Sequence, residues 1–377
     1  MGSLAKHCRY IFLQAASLLV VESLFIPIGC DTGSPVETLK PVIPKAHDTT
    51  SHNWVFDPPV ILGKSPESSV LYDVAILNDS LVYAVGAVYT NDSSYGMPYK
   101  RFNLVAWDGK EWTLKRIPFI GSCSVVEVPP VWAICQVSPA IVLLSDGGTV
   151  VTYNGTTAQM DCRMNPLLVG GIEKMCASGP TNVFTVGPKG DIVHFDGTSW
   201  QKQASGTSVM LVDVAVSADA RHVAAIGYSL NYVESALITS QGSSWTALWA
   251  GSIGSQPPPY AGQATSVYFA DDSLVVACGT GVFIQAADQP VSTARLLIPV
   301  EQVPYRVRGT GANDIFAVGD KARILHYNGA SWRLLYSQTD DQTLFSVAVT
   351  PHLLVAVGEE RSSFPYRALV MIGRRSL

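Results

Sequence analysis

The chain has 377 residues, of which 47% are hydrophobic and 15% charged, and its formal net charge is −5. This composition excludes a disordered chain, because the apolar fraction is ample for a packed core. The negative charge, with no basic cluster in the repeated part of the sequence, argues against nucleic acid as a partner.

The N-terminal segment differs in character from the rest of the chain. Lys6 and Arg9 precede an apolar run over residues 10–28, which is interrupted by Glu22. A basic stretch followed by an apolar one is typical of an export signal, and the carboxylate would be costly inside a bilayer. We therefore predict that residues 1–29 are a signal peptide.

The end of this apolar run resembles the lipobox of bacterial lipoproteins, in which a cysteine is acylated and becomes the new N-terminus. Ile28-Gly29-Cys30 carries the resemblance, and Pro27 departs from it because an aliphatic residue is usual there. It implies lipidation at Cys30, with residues 30–51 as a flexible tether and residues 52–377 as the folded body. The expected location is the bacterial cell envelope, periplasmic or surface-exposed; plain secretion and an uncleaved anchor are the alternatives.

A repeated unit follows the tether. Asn-Asp-Ile-Phe-Ala-Val-Gly-Asp at 313–320 continues into Ile-Leu-His-Tyr-Asn-Gly-Ala-Ser-Trp at 324–332, and residues 179–187 with 192–200 match it closely. The pattern predicts a turn, an apolar strand, a second apolar strand, a two-residue Asn-Gly or Asp-Gly hairpin turn and a strand that begins with tryptophan.

The unit recurs seven times, at spacings of roughly 40–60 residues, the period of a four-stranded propeller blade. Its second strands are apolar at every position, which indicates that both faces are covered. They are predicted at Leu81–Val85, Ala140–Leu144, Val183–Val186, Val223–Ile226, Leu274–Cys278, Ile315–Val318 and Leu353–Val357. Third strands are predicted at Leu104–Trp107, Val150–Tyr153, Ile192–Phe195, Ser235–Thr239, Val282–Gln285, Ile324–Tyr327 and Ala368–Met371, and fourth strands begin at Trp112, Trp200, Trp245 and Trp332.

The last unit lacks its fourth strand, since only residues 374–377 remain after Gly373. Trp54-Val55-Phe56, a tryptophan-led strand without a nearby partner, can supply it. We therefore predict an all-β fold: a seven-bladed β-propeller of four-stranded antiparallel blades, whose last blade is closed by an N-terminal strand.

The longest connections are predicted at one end of this propeller. They are Val88–Phe102, Pro118–Pro130, Tyr228–Glu234, Gly251–Gly262 and Glu359–Arg367. Aromatic and arginine side chains on loops held by a rigid ring are typical of a recognition surface. The predicted binding residues, from the first and last blades, are Tyr89, Tyr95, Tyr99, Arg101, Arg361, Phe364 and Tyr366; the alternative is that they only pack the loops onto the ring.

Residue types with a chemistry of their own do not form a known site. His194 and His326 occupy equivalent places in two blades, so they are expected to be structural and no metal is predicted. One or two disulfides are plausible among Cys123, Cys135, Cys162 and Cys176, with the pairing left open, while Cys278 is expected in the core. The sequence contains no Gly-x-Ser-x-Gly nucleophile elbow, no P-loop and no His-Glu-x-x-His zinc motif, so no catalytic residue and no cofactor is predicted.

The sequence of residues 313–332 resembles the repeats of bacterial secreted and lipoprotein β-propellers, which are loosely similar to galactose-oxidase or photosystem-assembly propellers. The resemblance implies the fold and an exported location, and no functional residue carries over. The hypothesis is a monomeric, non-catalytic, membrane-tethered propeller that binds a protein or a glycan at its long-loop end. The alternatives are a secreted glycan hydrolase or lyase with its site in the central funnel, and a purely structural assembly factor.

Overall fold

The computed structural model describes residues 51–91, 99–121, 125–253, 262–271, 273–278, 281–286, 289, 295–298, 304–338 and 340–376. Apart from two 3-10 turns at Asn165–Leu167 and Pro188–Gly190, the regular structure of these residues is all β-strand. No helix in this described part of the chain has the length and hydropathy needed to cross a membrane. Tyr95 and Cys30, with the predicted signal peptide and most of the tether, lie outside the described residues.

Seven antiparallel sheets of the described residues form the blades. Blade 1 is β3 (Val70–Asn78), β4 (Leu81–Asn91), β5 (Tyr99–Trp107) and β6 (Trp112–Lys115), and a hairpin of β7 (Phe119–Gly121) and β8 (Val125–Glu127) follows it. Blade 2 is β9 (Ala133–Ser138), β10 (Ile141–Ser145), β11 (Val150–Tyr153) and β12 (Ala158–Asp161), and blade 3 is β13 (Lys174–Gly179), β14 (Asn182–Val186), β15 (Ile192–Phe195) and β16 (Trp200–Gln203). Blade 4 is β17 (Met210–Val216), β18 (Val223–Tyr228), β19 (Glu234–Ser240) and β20 (Trp245–Ser252).

The remaining blades complete the ring. Blade 5 is β21 (Ser266–Ala270), β22 (Ser273–Cys278), β23 (Gly281–Ala286) and β24 (Arg295–Ile298), and blade 6 is β25 (Arg306–Gly311), β26 (Asp314–Val318), β27 (Ile324–Tyr327) and β28 (Trp332–Tyr336). Blade 7 is β29 (Gln342–Val349), β30 (Leu353–Glu360) and β31 (Arg367–Arg375), with β1 (Trp54–Phe56) as its outermost strand and β2 (Val60–Leu62) also paired to β31. The first strand of each blade contacts the first strand of the next, and β29 contacts β3, so the ring closes.

The closure predicted from the sequence is confirmed. Trp54 pairs with Arg375 and Phe56 with Gly373, and β2 continues along the same strand, where Ile61 pairs with Leu369. The seven-bladed propeller latched by an N-terminal strand is therefore the fold of the described chain. The predicted second, third and fourth strands are all present, most of them with bounds shifted by one or a few residues.

The apolar second strands serve two cores each, as predicted from their lack of alternation. In β4, Val82 and Ala84 pack in a cluster with Val355 of blade 7, whereas Val85 packs in the neighbouring cluster with Leu144 of blade 2. Comparable clusters fill the other interfaces between blades described here. A blade is therefore buried on both faces, and each face needs the next blade.

The latch strand is fixed by aromatic and polar contacts with blade 6. The Trp54 ring meets Phe316 edge-on at 5.0 Å between centroids, and the Arg375 guanidinium lies 4.7 Å above the Trp54 ring. Beside it, His52 Nδ1 lies 3.0 Å from Nδ1 of the buried His326, whose Nε2 lies 2.9 Å from Asp314 Oδ1. His326 thus ties the latch to the blade, which agrees with the structural role predicted for it.

The connections between third and fourth strands are longer than predicted. Trp107 pairs with Trp112, so four residues rather than two join these strands. The Asp108 carboxylate accepts the backbone N–H groups of Lys110 and Glu111, and Gly109 takes a φ of +94°. Equivalent side chains in other blades, Asn154, Asp196 and Asn328, accept the same pair of N–H groups. The side-chain cap replaces the tight turn, which explains why Asn or Asp precedes each glycine.

Glycine near the end of a second strand lets the first strand bulge against it. Gly358 pairs with Leu344 beside a register shift, and a Cβ there would lie 1.8 Å from the carbonyl oxygen of Thr343. Gly86 and Gly227 show the same relation at 2.1 and 1.9 Å to the oxygens of Val70 and Met210. The glycine of the repeat is therefore required by close backbone approach.

We predict that Gly358→Ala lowers the free energy of unfolding by at least about 2 kcal/mol, because the methyl group overlaps a backbone oxygen that cannot move without breaking the sheet. Thermal unfolding followed by circular dichroism measures the change. Gly179→Ala is the matched control, since a Cβ there meets no atom within 4 Å, and it should stay within about 0.5 kcal/mol. Equal melting temperatures for the two variants would contradict this explanation of the repeat.

Candidate functional site

One position in the first strand of each blade points to the propeller axis. In three blades the position is the third residue of a similar five-residue sequence: Leu-Tyr-Asp-Val-Ala at 71–75, Leu-Val-Asp-Val-Ala at 211–215 and Leu-Phe-Ser-Val-Ala at 344–348. We call the set the axial ring: Asp73, Ala133, Lys174, Asp213, Ser266, Arg306 and Ser346, with Arg308 beside it. Hydrogen bonds join blades that are not neighbours, 1 with 3 and 4 with 6, which requires that these side chains meet at the centre.

One half of the ring is organised by Asp73. Lys174 Nζ lies 2.5 Å from both carboxylate oxygens, Ser346 Oγ donates at 2.7 Å, and the backbone N–H of Ile134 donates at 3.0 Å. Asp73 is 1% exposed and Lys174 6%. The carboxylate is therefore saturated by one cation and two neutral donors from three other blades.

The other half is organised by Asp213, which is fully buried. Arg308 donates to both of its oxygens, at 3.0 and 2.8 Å, and Arg306 Nη1 lies 2.8 Å from Oδ1. Ser266 Oγ donates at 2.5 Å. A buried carboxylate held by two guanidinium groups is a strong constraint, because removal of either partner would leave a charge without compensation.

The axial carboxylates do not have the properties of a general acid. Burial opposes the ionisation of Asp73, but the charges of Lys174 and Arg306 outweigh it and hold the pKa below its ordinary value. For Asp213 burial likewise acts against ionisation, and Arg306 and Arg308 overcome it, so its pKa is also well lowered. Both remain ionised near neutrality. A central glycosidase would need a carboxyl group with a raised pKa, whereas both axial carboxylates are buried in ion pairs and have lowered pKa values.

We predict that Asp213→Asn lowers the free energy of unfolding by about 3–5 kcal/mol, since it leaves Arg306 and Arg308 buried without their counter-charge. Urea unfolding at neutral pH checks this. Ser346→Ala removes one of the hydrogen bonds to the Asp73 carboxylate, which keeps Lys174 as its counter-charge, and should cost less, about 1.5–3 kcal/mol. If the two variants were equally stable, the ion pairs would not be what holds the axis together.

Aromatic residues of blades 6, 7, 1 and 2 lie beside the axis at one face of the propeller. We call this the loop face; it carries the connections from second to third strands and from each blade to the next, while the remaining turns form the turn face. Four of these residues, each directly before the ring position of its blade, form what we call the mouth: Tyr72, Trp132, Tyr305 and Phe345. The Tyr72 and Trp132 rings stack with their centroids 4.2 Å apart, and the Tyr305 and Phe345 ring centroids are 5.9 Å apart. Burial, followed by the charge of Glu359, raises the pKa of Tyr72 to about 12, so its hydroxyl stays a donor.

Exposed apolar side chains are concentrated on the same face. Leu230, Tyr232 and Val233 protrude from the second-to-third connection of blade 4, with Leu230 74% exposed. Phe364 is 77% exposed on the corresponding connection of blade 7, and Trp132 is 42% exposed at the mouth. Val126 and Val169 also belong to this face, whereas Val55 and Leu334 lie on outer strands. Among the described residues no large apolar side chain is exposed on the turn face.

The predicted binding residues of blade 1 lie together, but on strands rather than on a loop. Tyr89 and Arg101 are a pair of β4 and β5, and Tyr99 pairs with Asn91, because both strands continue beyond the predicted ends. The Tyr89 and Tyr99 rings meet edge-on at 5.4 Å. Arg101 Nε donates to the carbonyl oxygen of Val128 at 2.6 Å, so Arg101 also holds the connection to blade 2.

The predicted residues of blade 7 lie on the connection at 361–366 and reach blade 1. The Arg361 guanidinium lies 5.8 Å over the Tyr366 ring and pairs with Glu359, and Phe364 meets Tyr366 edge-on at 5.8 Å. The carbonyl oxygen of Tyr366 accepts the Ser69 N–H, and Ser69 Oγ accepts the Tyr89 N–H. The two groups are therefore linked at the seam through Ser69; their part in binding stays a prediction.

The residues of the mouth were not among those predicted from the sequence. Tyr72, Trp132, Tyr305 and Phe345 each precede the ring position in its blade, so an alignment of the first strands would have found them. The exposed apolar connection of blade 4 was predicted only as one of the long connections, Tyr228–Glu234, and none of its residues was among the predicted binding residues. Its Tyr228 and Tyr232 rings stack at 5.5 Å, which supports the protruding tip.

Cysteine and histidine do not form a second site in the described residues. Cys162 is disulfide-bonded, whereas Cys135 and Cys176 are free thiols whose pKa burial raises, so both are unreactive core residues. Cys123 lies outside the described residues, and so does the Cys278 side chain. His194 Nε2 lies 2.8 Å from Asn182 Oδ1 and its ring stacks on Phe184, as expected for a structural residue. Within the part of the chain that is described, no group of three or more histidine, cysteine or carboxylate side chains is suited to a metal.

Solved structures share this architecture at low sequence identity. YCF48 bound to D1 peptide matches with a TM-score of 0.61 and 12% identity, over 87% of this chain and 98% of the other. The WD40 β-propeller domain of Doa1 gives 0.59 and 12%, over 86% and 98%, and YCF48 from Cyanidioschyzon merolae gives 0.56 and 12%, over 85% and 98%. No protein-family model and no curated protein matches the sequence. These similarities establish that the chain has a β-propeller fold.

Proposed function

We propose that this chain is a non-catalytic binding propeller whose loop face takes an extended segment of a partner protein. The observation that carries the proposal is the distribution of exposed apolar side chains, seven of which lie on the loop face among the described residues. Exposed aromatic and aliphatic groups grouped on one face mark an interaction site, because their contact with water is released on binding.

The charge arrangement supports binding rather than catalysis. Asp73 and Asp213 are both buried in ion pairs, so neither is available as a nucleophile or a proton donor. The rigid ring holds the aromatic mouth in place, which lowers the entropic cost of recognition. A propeller of similar architecture, YCF48, is solved with a bound D1 peptide, which makes a peptide an apt class of ligand for this fold.

The proposal predicts that Leu230→Ser combined with Val233→Ser weakens peptide binding by at least about tenfold, because the change removes the protruding apolar contact without touching the core. The probe is a set of short peptides enriched from a random library by the full chain, and titration calorimetry measures affinity. The matched control is Val55→Ser with Leu334→Ser, which removes two exposed apolar groups, 61% and 50% exposed, from the outer strands and should change affinity less than about twofold. Failure of the full chain to enrich any peptide, equal weakening by both pairs, or glycan-array binding without peptide binding would contradict the proposal.

We also propose that the chain is exported and held at a bacterial membrane by a lipid on Cys30, on the strength of the lipobox-like residues 28–30 and the preceding basic and apolar segment. In a lipoprotein-processing bacterium, the full chain should incorporate labelled palmitate and sediment with membranes. Cys30→Ala should lose the label, while Cys8→Ala, in the predicted signal, should keep it. Label retained in Cys30→Ala would rule out this anchor.

A further inference from the structure

Arg306 is a largely buried cation, and two of its three guanidinium nitrogens make no hydrogen bond within the described structure. Its side chain is 12% exposed, and Nη1 lies 2.8 Å from Asp213 Oδ1. Yet neither Nε nor Nη1 makes a hydrogen bond, because the contact with Asp213 has the distance but not the direction of one. Arg308, by contrast, donates to Asp213 and to the carbonyl oxygens of Val267 and Val307. Buried guanidinium N–H groups without an acceptor are costly, so an acceptor from outside the chain would be favoured there.

The charge around Arg306 also favours an anion. Lys174, Arg306 and Arg308 face the two carboxylates Asp73 and Asp213, which leaves one positive charge in excess within the network. Glu173 precedes Lys174 in the sequence, but among the described residues the ion pair of Arg306 is with Asp213 and not with Glu173.

The other charged groups at the mouth are engaged elsewhere. Glu359 pairs with Arg361, and Glu360 pairs with Arg367. The carboxylate of Asp320 accepts from the Tyr305 hydroxyl at 3.4 Å and from Thr343 Oγ1 at 3.3 Å. None of these groups makes a hydrogen bond to Arg306.

Arg306 belongs to the layer of the axis nearest the loop face. It is the first residue of β25 and follows Tyr305 of the mouth, and Lys174 and Ser266 likewise begin their strands. The charges of Glu173 and Arg306 both act on the Tyr228 hydroxyl at the base of the blade 4 connection. A group that reaches Arg306 therefore enters from the loop face, between the aromatic side chains of the mouth.

The position of the apolar contacts indicates what part of a ligand enters. In a ring of seven blades, blade 4 lies opposite blades 7 and 1, so Leu230 and Phe364 stand on opposite sides of the mouth. An extended segment that touches both must pass over the axis. Only a side chain from its middle then points down to Arg306, whereas a chain terminus would leave one side without contacts.

We propose that the axis is a receptor for one Asp or Glu side chain of an extended peptide lying across the mouth, with its carboxylate accepting the unused N–H groups of Arg306. This inference rests on the proposed function and names the anchor within it. The carboxylate adds the missing negative charge to the network, and charge-assisted hydrogen bonds to a guanidinium are the strong kind.

The test uses peptides enriched by the full chain from a random library, synthesised with acetylated and amidated ends so that neither terminus is charged. Each is compared with its variant in which the central Glu or Asp is replaced by Gln or Asn. The acidic peptide should bind wild type at least about tenfold more tightly than its amide variant. The Arg306→Gln variant should bind the acidic peptide and its amide variant equally. The Arg306→Lys variant should keep part of the preference for the acidic peptide, because lysine retains the positive charge but not the paired N–H donors of the guanidinium group. Circular dichroism confirms that the variants are folded, and the peptide comparison on wild type stands without them.

The outcomes separate this inference from the proposed function. Peptides that depend on Leu230 and Val233 but bind equally with Glu or Gln would overturn the axial receptor and leave the binding propeller standing. A free C-terminus that binds about tenfold better than its amide would also overturn it, because the anchor would then be a terminus. If no peptide is enriched, the binding propeller itself fails and the receptor with it.

Discussion

Each blade has two apolar faces, and neither can be left to water. Because Val82 and Val85 of one strand point into different cores, a blade is stable only between two neighbours. That demand can be met for every blade at once only if the sheets form a closed ring. The latch by β1 and β2 follows from it, since an unpaired outer edge on β31 would leave the last blade incomplete.

Closure of the ring creates the problem that the axial side chains solve. The seven first strands surround the centre, and five charged residues lie there, largely buried. Each carboxylate is matched with cations from other blades, so the network also fixes which blade faces which across the axis. Buried ion pairs are often no more stabilising than apolar residues of the same volume, so we infer that these pairs contribute to the specificity of blade order.

The sequence specified the repeated part of the fold well, for a physical reason. Period, turn residues and uniformly apolar second strands are local features, and the tryptophans at the starts of the fourth strands mark their positions in four blades. The closing strand was also visible, because the last unit lacked one and Trp54 had no other partner. The full length of β4 and β5 was not visible in the sequence. Tyr89 and Arg101 are polar or amphipathic residues beyond the apolar part of each strand, so they were predicted to lie in a loop.

The axis could not be predicted in the same way. Asp73 and Lys174 are 101 residues apart and Asp213 and Arg308 are 95 apart, and nothing in either local sequence announces its partner. The equivalence appears only when the first strands of the blades are aligned. Local pattern therefore determined the blades, whereas the centre was determined by convergence of distant positions.

The two faces of the ring differ because their connections use polar groups differently. On the turn face, the side-chain oxygens of Asp108, Asn154 and Asn328 are occupied by N–H groups of their own turns, and the glycine that follows each adds no side chain. The side-chain oxygens of these turns are therefore not available to a ligand. On the loop face, the longer connections project Leu230 and Phe364 while the strands beneath hold the aromatic mouth rigid. Recognition is therefore expected on the loop face, where the repeat sequence is least regular, because the polar groups of the regular turns are already hydrogen-bonded within those turns.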